Sequence, residues 1–362
     1  MRSTPQQLAV LETLLDRLMR SSTLFAGDQL LADFVINPRA GALSTARRAL
    51  RTIDRLGHAV GQMRPAQRRR GSVATRFHLT RYAGHAREIA GGLFAMASPR
   101  GVHLVISVGG DGTHSEVLSA CRRETVGPAR AGQGNRFFVR LPFGTGNDGA
   151  DAPDIDAAAL LLSGNAEPRL ARQILVRPTG MHEHCGYNIA SIGLDAYVAY
   201  LTNRLKSRFT GDLYKGIADV MTLFYERLVG AGPMSVTIND GEGRIEQLER
   251  VFLLFALGAT GYRRYGGGKL VLPGEENLCA IETVRLLGKL RLKSLFYRGA
   301  HVHEPNVTMR SANRVMIRYD RRVPMQIDGE SLWLQPENFP LEMTVHEPHI
   351  PVLAWSSAKE SQ

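Results

Sequence analysis

The sequence predicts two domains of different class, an α/β domain followed by an antiparallel β-sandwich. Three observations carry this. The chain has 362 residues, which at about 150 residues per domain makes two. Up to about residue 165, short apolar strands alternate with helical stretches, the pattern of a layered sheet with crossover helices. Beyond that point short strands follow one another between turn residues, and only Ala196–Leu228 reads as substantially helical. The expected division is a helical extension over 1–30, the α/β domain over 31–165, the sandwich over 166–350 and a tail over 351–362.

Leu8, Leu11, Leu15 and Leu18 stand at helical spacing, with Leu14 and Met19 widening the stripe. The stripe predicts a helix docked on its own domain or on a second copy, which allows a homodimer. Leu31–Ile36 is a short strand that ends at Asn37-Pro38-Arg39-Ala40-Gly41. A helix to about Arg55, a polar loop over Gly61–Ser72, a strand at Phe77–Leu79 and a helix over Gly84–Ala97 follow. Val102–Val108 and Phe137–Leu141 are continuous apolar runs, as in strands of a parallel sheet buried on both faces. In the second half Leu170–Arg177, His184–Ile192, Met234–Ile238, Val251–Leu257, Ala280–Leu286, Val307–Arg310, Val315–Tyr319 and Pro324–Ile327 read as strands.

Charge is distributed unevenly. Residues 1–150 hold 21 Arg, no Lys and ten acids, whereas residues 151–362 hold 24 basic and 24 acidic side chains. A basic half suits an anionic partner or a basic solvated surface. The Arg68-Arg69-Arg70 cluster has no nucleic-acid module beside it, so nucleic acid is not expected. Cys121, Cys185 and Cys279 are odd in number and widely spaced, which argues against a disulfide framework or a zinc site. The longest apolar run, Val251–Ala259, is far shorter than the roughly 20 residues that cross a bilayer. The expectation is a cytoplasmic protein whose membrane contact is peripheral.

Two loops carry chemistry. Gly109-Gly110-Asp111-Gly112-Thr113 directly follows a buried strand and opens a helix. Glycines let backbone approach a ligand closely, and free N–H groups at a helix start favour phosphate. Asp111 has the chemistry to hold Mg²⁺ or to take a hydroxyl proton. Pro142-Phe143-Gly144-Thr145-Gly146-Asn147-Asp148 repeats the recipe after the next strand. Both stand where α/β sheets bind ligands, at the carboxyl ends of strands. Neither fits a Walker A loop or G-x-G-x-x-G.

With N-P-R-A-G at 37–41, T-R-Y-A-G-H-A at 80–86, G-G-D-G-T at 109–113 and P-F-G-T-G-N-D at 142–148, the chain resembles the diacylglycerol kinase catalytic domain family. That family includes bacterial lipid kinases and the sphingosine and ceramide kinases. N-I-A-S-I-G-L-D-A at 188–196, Y-G-G-G at 265–268 and I-D-G-E at 327–330 continue the match, which runs from about Phe34 to Leu334.

The resemblance implies a Rossmann-like nucleotide-binding domain of the NAD kinase and phosphofructokinase type, a β-sandwich for the lipid, and an active site in the cleft between them. It implies ATP and Mg²⁺ as cofactors and a lipid hydroxyl at a membrane surface as acceptor, diacylglycerol by default. Asn37, Arg39, Thr80, Gly109, Gly110, Asp111, Gly112, Thr113, Gly144, Thr145 and Asn147 would line the nucleotide. Asp111 and Asp148 would belong to the metal network, and Asp195 would face the acceptor or that network. Glu330 or Asp328 would be the general base, with Asp111 next in rank.

Two departures stand out. Pro273–Leu278 lacks the Asp-Gly that supports a structural Mg²⁺ in the family, leaving Glu275 or Glu276 as substitutes. Gly149-Ala150-Asp151 replaces Phe-Ala-Arg, which removes a cation that Arg140 or Arg39 would have to replace. The alternatives are a kinase for another lipid alcohol, such as a sphingoid base, and a nucleotide- or lipid-binding regulator without catalysis.

Overall fold

The computed structural model describes residues 3–62, 71–95, 101–121, 136–145, 147–206, 225–265 and 268–356. Arg68–Arg70, Gly146, the Gly266-Gly267 pair and most of Leu213–Leu228 lie outside them. The chain forms two compact units, Met1–Ala171 with His349–Gln362 and Arg172–Pro348.

In the first unit β1 (Leu30–Ile36), β2 (Val73–Leu79), β3 (Val102–Gly109) and β4 (Arg136–Pro142) pair in parallel in the order β2-β1-β3-β4. One face of this sheet packs its Leu30, Ala32, Phe34 and Ile36 against α1 (Pro5–Arg20), α2 (Ala46–Gln62) and α5 (Ile155–Ser163). On the opposite face Phe94 of α3 (His85–Ala95) packs against Phe138, with ring centroids 5.2 Å apart. Helices on both faces are why β3 is buried along its whole length.

The leading helix docks on its own unit: Leu11, Leu15, Leu18 and Met19 belong to the main core cluster. Thr4 caps it through Gln7 N–H, and Gln7 returns a bond to Thr4 N–H.

Two expected boundaries move. Leu170–Arg177 is not one strand. β5 (Ala166–Ala171) belongs to the first sheet, and β6 (Ile174–Arg177) belongs to the second unit. The supposed tail contains β20 (Ile350–Trp355), which inserts between β4 and β5 and pairs antiparallel with β5 from Ile350 to Trp355.

The second unit holds two six-stranded antiparallel sheets. One contains β9 (Met234–Asn239), β16 (Arg314–Arg318) and β19 (Leu341–Val345); its strands alternate in burial because only one face is covered. The other contains β8 (Ile189–Gly193), β11 (Phe252–Gly258) and β17 (Val323–Ile327), which are buried throughout. Its inner residues, among them Ile192, Phe255 and Met325, share a core with Val236, Val315 and Met343 of the first sheet. Its outer residues pack with Tyr197 and Leu201 of α6 (Leu194–Lys206) and with Leu292.

Leu292 lies on a helix the sequence reading missed. The expected strand Ala280–Leu286 is β14 (Leu278–Glu282) followed by a helix over Leu286–Phe296. With α7 (Tyr225–Val229) before it, that helix is α8.

Candidate active site

Parallel pairing brings the segments after β1, β2, β3 and β4 to one sheet edge. Asn37 N–H donates to Val108 C=O at 2.9 Å, and Thr80 N–H donates to Ile36 C=O at 2.9 Å. Asn37 then shapes its own loop. Its Oδ1 accepts Arg39 N–H at 2.9 Å and its Nδ2 donates to Thr113 Oγ1 at 3.0 Å. Thr113, which is buried, thereby ties the β1 loop to the start of α4 (Asp111–Cys121).

The β3 and β4 loops touch through glycine. A Cβ on Gly110 would stand 3.0 Å from Gly144 Cα, and one on Gly144 would collide with Gly110 Cα and lie 2.8 Å from Asn147 Oδ1. Asn147, at φ 58°, accepts Gly144 N–H at 2.6 Å. Two glycine loops in backbone contact at the N-terminus of α4 leave little side-chain bulk there, and a helix start suits a phosphate. Thr145 and Arg39 are exposed at this edge, and Thr80 is half-buried.

Asp111 opens α4 and reaches across to the next loop. Its Oδ1 accepts Gly149 N–H at 2.8 Å, and its carboxylate also takes Asp148 N–H. Burial pushes its pKa up, partly offset by those N–H groups and by the charge of Arg140. A nearby cation would relieve that penalty on the ionised form. No group of three or more His, Cys, Asp and Glu gathers among the described residues. The Asp111 carboxylate, buried beside the glycine loops, fits a Mg²⁺ held mainly by phosphate oxygens and water, the usual arrangement for that ion.

Arg140 does not take the place of the missing cation. It is buried and pairs with Asp151, with Nη2 at 2.6 Å from Oδ1 and Nε at 3.1 Å from Oδ2. The Asp that replaces Arg in the departed motif consumes its charge. Glu276 lines a cavity of about 360 Å³ together with Asp240, Glu246, Arg244 and Arg310, where Arg310 Nε donates to Glu246 Oε2 at 2.6 Å.

In the second unit Asp328 and Gly329 form the two-residue turn between β17 and β18 (Glu330–Leu334), with φ of 50° and 88°. Positive φ at both positions is the hairpin geometry that Asp-Gly favours. The Asp328 carboxylate accepts three backbone N–H groups: Tyr187 at 2.6 Å, Asn188 at 2.9 Å and Ile189 at 3.0 Å. These bonds fasten the carboxylate to the first residues of β8. Asp328 is a clamp on the start of β8.

Glu330 is exposed at the head of β18, directly after that turn. Asp195 stands in the first turn of α6 and accepts from Ser191 Oγ. Ser191 accepts from Gln326 Nε2 at 2.7 Å, and Gln326 Oε1 accepts Gly329 N–H at 2.7 Å. Asp195 is thus wired to the turn that precedes Glu330. Ser191 and Gln326, both buried, escaped the sequence reading because isolated polar residues inside strands give no spacing signal.

The first unit also holds a buried charge network that the sequence reading passed over. Asp33, fully buried in β1, accepts from Arg76 Nε at 2.7 Å and Nη2 at 2.6 Å, and from His78 Nε2 and His103 Nε2 at 2.7 Å each. Burial opposes its ionisation, but the bonds from His103, His78 and Arg76 outweigh it and hold the carboxyl well below the usual range.

Residues 32–168 match the diacylglycerol kinase catalytic domain, and residues 188–351 match the YegS C-terminal NAD kinase beta sandwich-like domain. The chain belongs to the bacterial diacylglycerol and lipid kinase family.

Among lipid kinases of this family, a diacylglycerol kinase of Bacillus subtilis (strain 168) is 26% identical over 280 residues, covering 73% of this chain and 82% of its own. A probable lipid kinase YegS-like protein of Xanthomonas euvesicatoria pv. vesicatoria (strain 85-10) is 31% identical over 175 residues, 48% of this chain and 52% of that protein. A crystal structure from Bacillus anthracis str. Sterne superposes with a TM-score of 0.58 at 18% identity, covering 91% of this chain and 98% of that one. A diacylglycerol kinase structure from the same strain gives 0.51 at 15%, covering 91% and 97%. These structural likenesses concern the fold. The family implies a kinase that uses ATP. Among the described residues no helix is long and apolar enough to cross a membrane.

Proposed function

We propose that this lipid kinase transfers the γ-phosphate of ATP to the hydroxyl of diacylglycerol, giving phosphatidic acid, with Mg²⁺ and at the cytoplasmic face of a membrane. One observation carries the reading: Gly110 and Gly144 meet in backbone contact at the N-terminus of α4, and Asp111 spans the same two loops. That arrangement suits a phosphate chain and a single carboxylate-bound cation. In phosphoryl transfer the protein mainly positions and stabilises charge.

The residues divide the work as follows. The N–H groups of the Gly109–Thr113 segment hold the phosphates, with Asn37, Arg39, Thr80, Gly144, Thr145 and Asn147 around the nucleotide. Mg²⁺, held by Asp111 with Asp148 nearby, would neutralise charge on the phosphate oxygens. The acceptor oxygen forms a bond to the γ-phosphorus as the bond to the β–γ bridging oxygen breaks. The hydroxyl proton passes to Glu330, and ADP leaves. Asp195 orients the turn that carries Glu330 through Ser191 and Gln326.

The test is transfer of labelled phosphate from ATP to diacylglycerol, sphingosine, ceramide and undecaprenol, with and without Mg²⁺. Labelled phosphatidic acid that requires Mg²⁺ supports the reading. A different labelled lipid would replace the acceptor, and ATP binding without any product would make the protein a regulator.

A further inference from the structure

The helix α8 carries apolar residues on the side that faces solvent. Leu292, 4% exposed, turns inward to the cluster that also holds Tyr197 and Leu201 of α6, and Phe296 packs against that cluster. On the other side Leu286, Leu287 and Leu290 are 50%, 80% and 50% exposed, and Tyr297 at the helix end is 51% exposed. Positions 286, 290, 293 and 297 follow one another at three or four residues and so share a face. The inward face meanwhile holds Lys289, paired with Glu226. A surface helix ordinarily turns its leucines to the core, and a grouped apolar face in water marks an interaction site.

The charge around this face identifies the partner. Residues 283–303 contain Arg285, Lys289, Arg291, Lys293 and Arg298 and no acid, within a half of the chain whose remaining residues carry more acids than bases. Arg291 pairs with Glu304 at 2.7 Å, whereas Arg285 and Arg298 make no ion pair among the described residues. A second copy of the chain would set two such cationic segments face to face. An anionic surface with an apolar interior suits both halves of the pattern, and an aromatic phenol at its margin suits a membrane interface.

We propose that α8 docks the protein on a bilayer that contains anionic lipid. Leu286, Leu287, Leu290 and Tyr297 enter the interface, while Arg285, Lys293 and Arg298 meet headgroup phosphates. α6, whose first turn carries Asp195, packs on the same sheet face as α8, so docking brings that side of the unit to the lipid. The proposal rests on the lipid-kinase reading only for what the docked enzyme acts on.

Co-sedimentation of the full chain with vesicles tests it, using phosphatidylcholine alone or mixed with phosphatidylglycerol. The parent should bind the mixed vesicles, and Leu287→Glu with Leu290→Glu should weaken partition by at least about tenfold. Arg285→Glu with Arg298→Glu should also weaken it and should flatten its dependence on salt. Both pairs are exposed, and unchanged thermal unfolding would exclude misfolding. Transfer to a water-soluble short-chain diacylglycerol should remain, whereas transfer to vesicle-embedded diacylglycerol should fall. The proposal is overturned if the leucine variant sediments like the parent. It is also overturned if that variant dissolves a dimer of a parent that never binds vesicles. Vesicle binding that follows the expected pattern with no lipid phosphorylated would uphold docking and remove the kinase reading.

Discussion

Asp111 Oδ1 accepts the backbone N–H of Gly149 at 2.8 Å, so the side chain that opens α4 also fixes the end of the following loop. One carboxylate thus serves two loops. Asp111→Asn keeps the oxygen that accepts this bond but loses the charge. Phosphate transfer should fall by about 10²-fold or more, with the unfolding temperature nearly unchanged. Turnover at the parent rate in a steady-state assay would remove Asp111 from the metal network.

Gly144→Ala inserts a methyl group into the backbone contact with Gly110. Asn147 Oδ1 belongs to a side chain that can move, but Gly110 Cα and N are backbone and cannot swing away. The two loops must separate, which should weaken ATP binding by about tenfold or more while leaving the sandwich unit untouched. Equilibrium ATP binding by calorimetry measures this directly.

Asp328→Ala would strand three backbone N–H groups and place alanine at φ 50°. The expected loss is about 3 kcal/mol in denaturant unfolding. Asp328→Asn retains an acceptor oxygen and a residue that tolerates the left-handed region, so it should cost clearly less. Equal losses for the two variants would contradict the clamp.

Glu330→Gln separates the base from the clamp. If Glu330 takes the hydroxyl proton, kcat should drop by about 10²–10⁴-fold with ATP affinity unchanged. A rise in KM alone would point to acceptor binding instead.

His114 gives the first unit a pH signature. It is buried, its Nδ1 lies 2.7 Å from Ser107 Oγ, and burial with the charge of Arg140 brings its pKa down to about 3. The unfolded chain takes a proton near pH 6.5 that the folded protein refuses. Stability is therefore fully present above about pH 6.5 and declines as pH falls toward 3, by about 2 kcal/mol between 6.5 and 5. His114→Gln should flatten that slope in urea titrations at several pH values, whatever it does to the absolute stability.

The loops of the candidate site were legible because glycines, an acid and a preceding apolar strand stand together in the sequence. The helix α8 was not. Leu286, Leu287, Leu290, Leu292 and Leu295 spread leucine around its circumference, so no single apolar face marks it as helical. The Asp33 network was equally hidden. Its members come from β1, β2 and β3, and only the parallel register, with Asp33 opposite Arg76 and Val35 opposite His78, brings them together. The boundary inside Leu170–Arg177 was missed because its residues look like one strand until Ala171 and Ile174 pair in different sheets.

The position of β20 has a consequence for how the protein is made. Among the described residues the strand beside β5 is β20, which leaves the ribosome after the whole second unit has been synthesised. During translation β5 waits with an unpaired edge, and the first sheet closes only through a contact spanning nearly half the chain. Such late, non-local closure slows folding and leaves a template for mispairing in the meantime. A nascent chain arrested before Ile350 should be the most aggregation-prone form of this kinase.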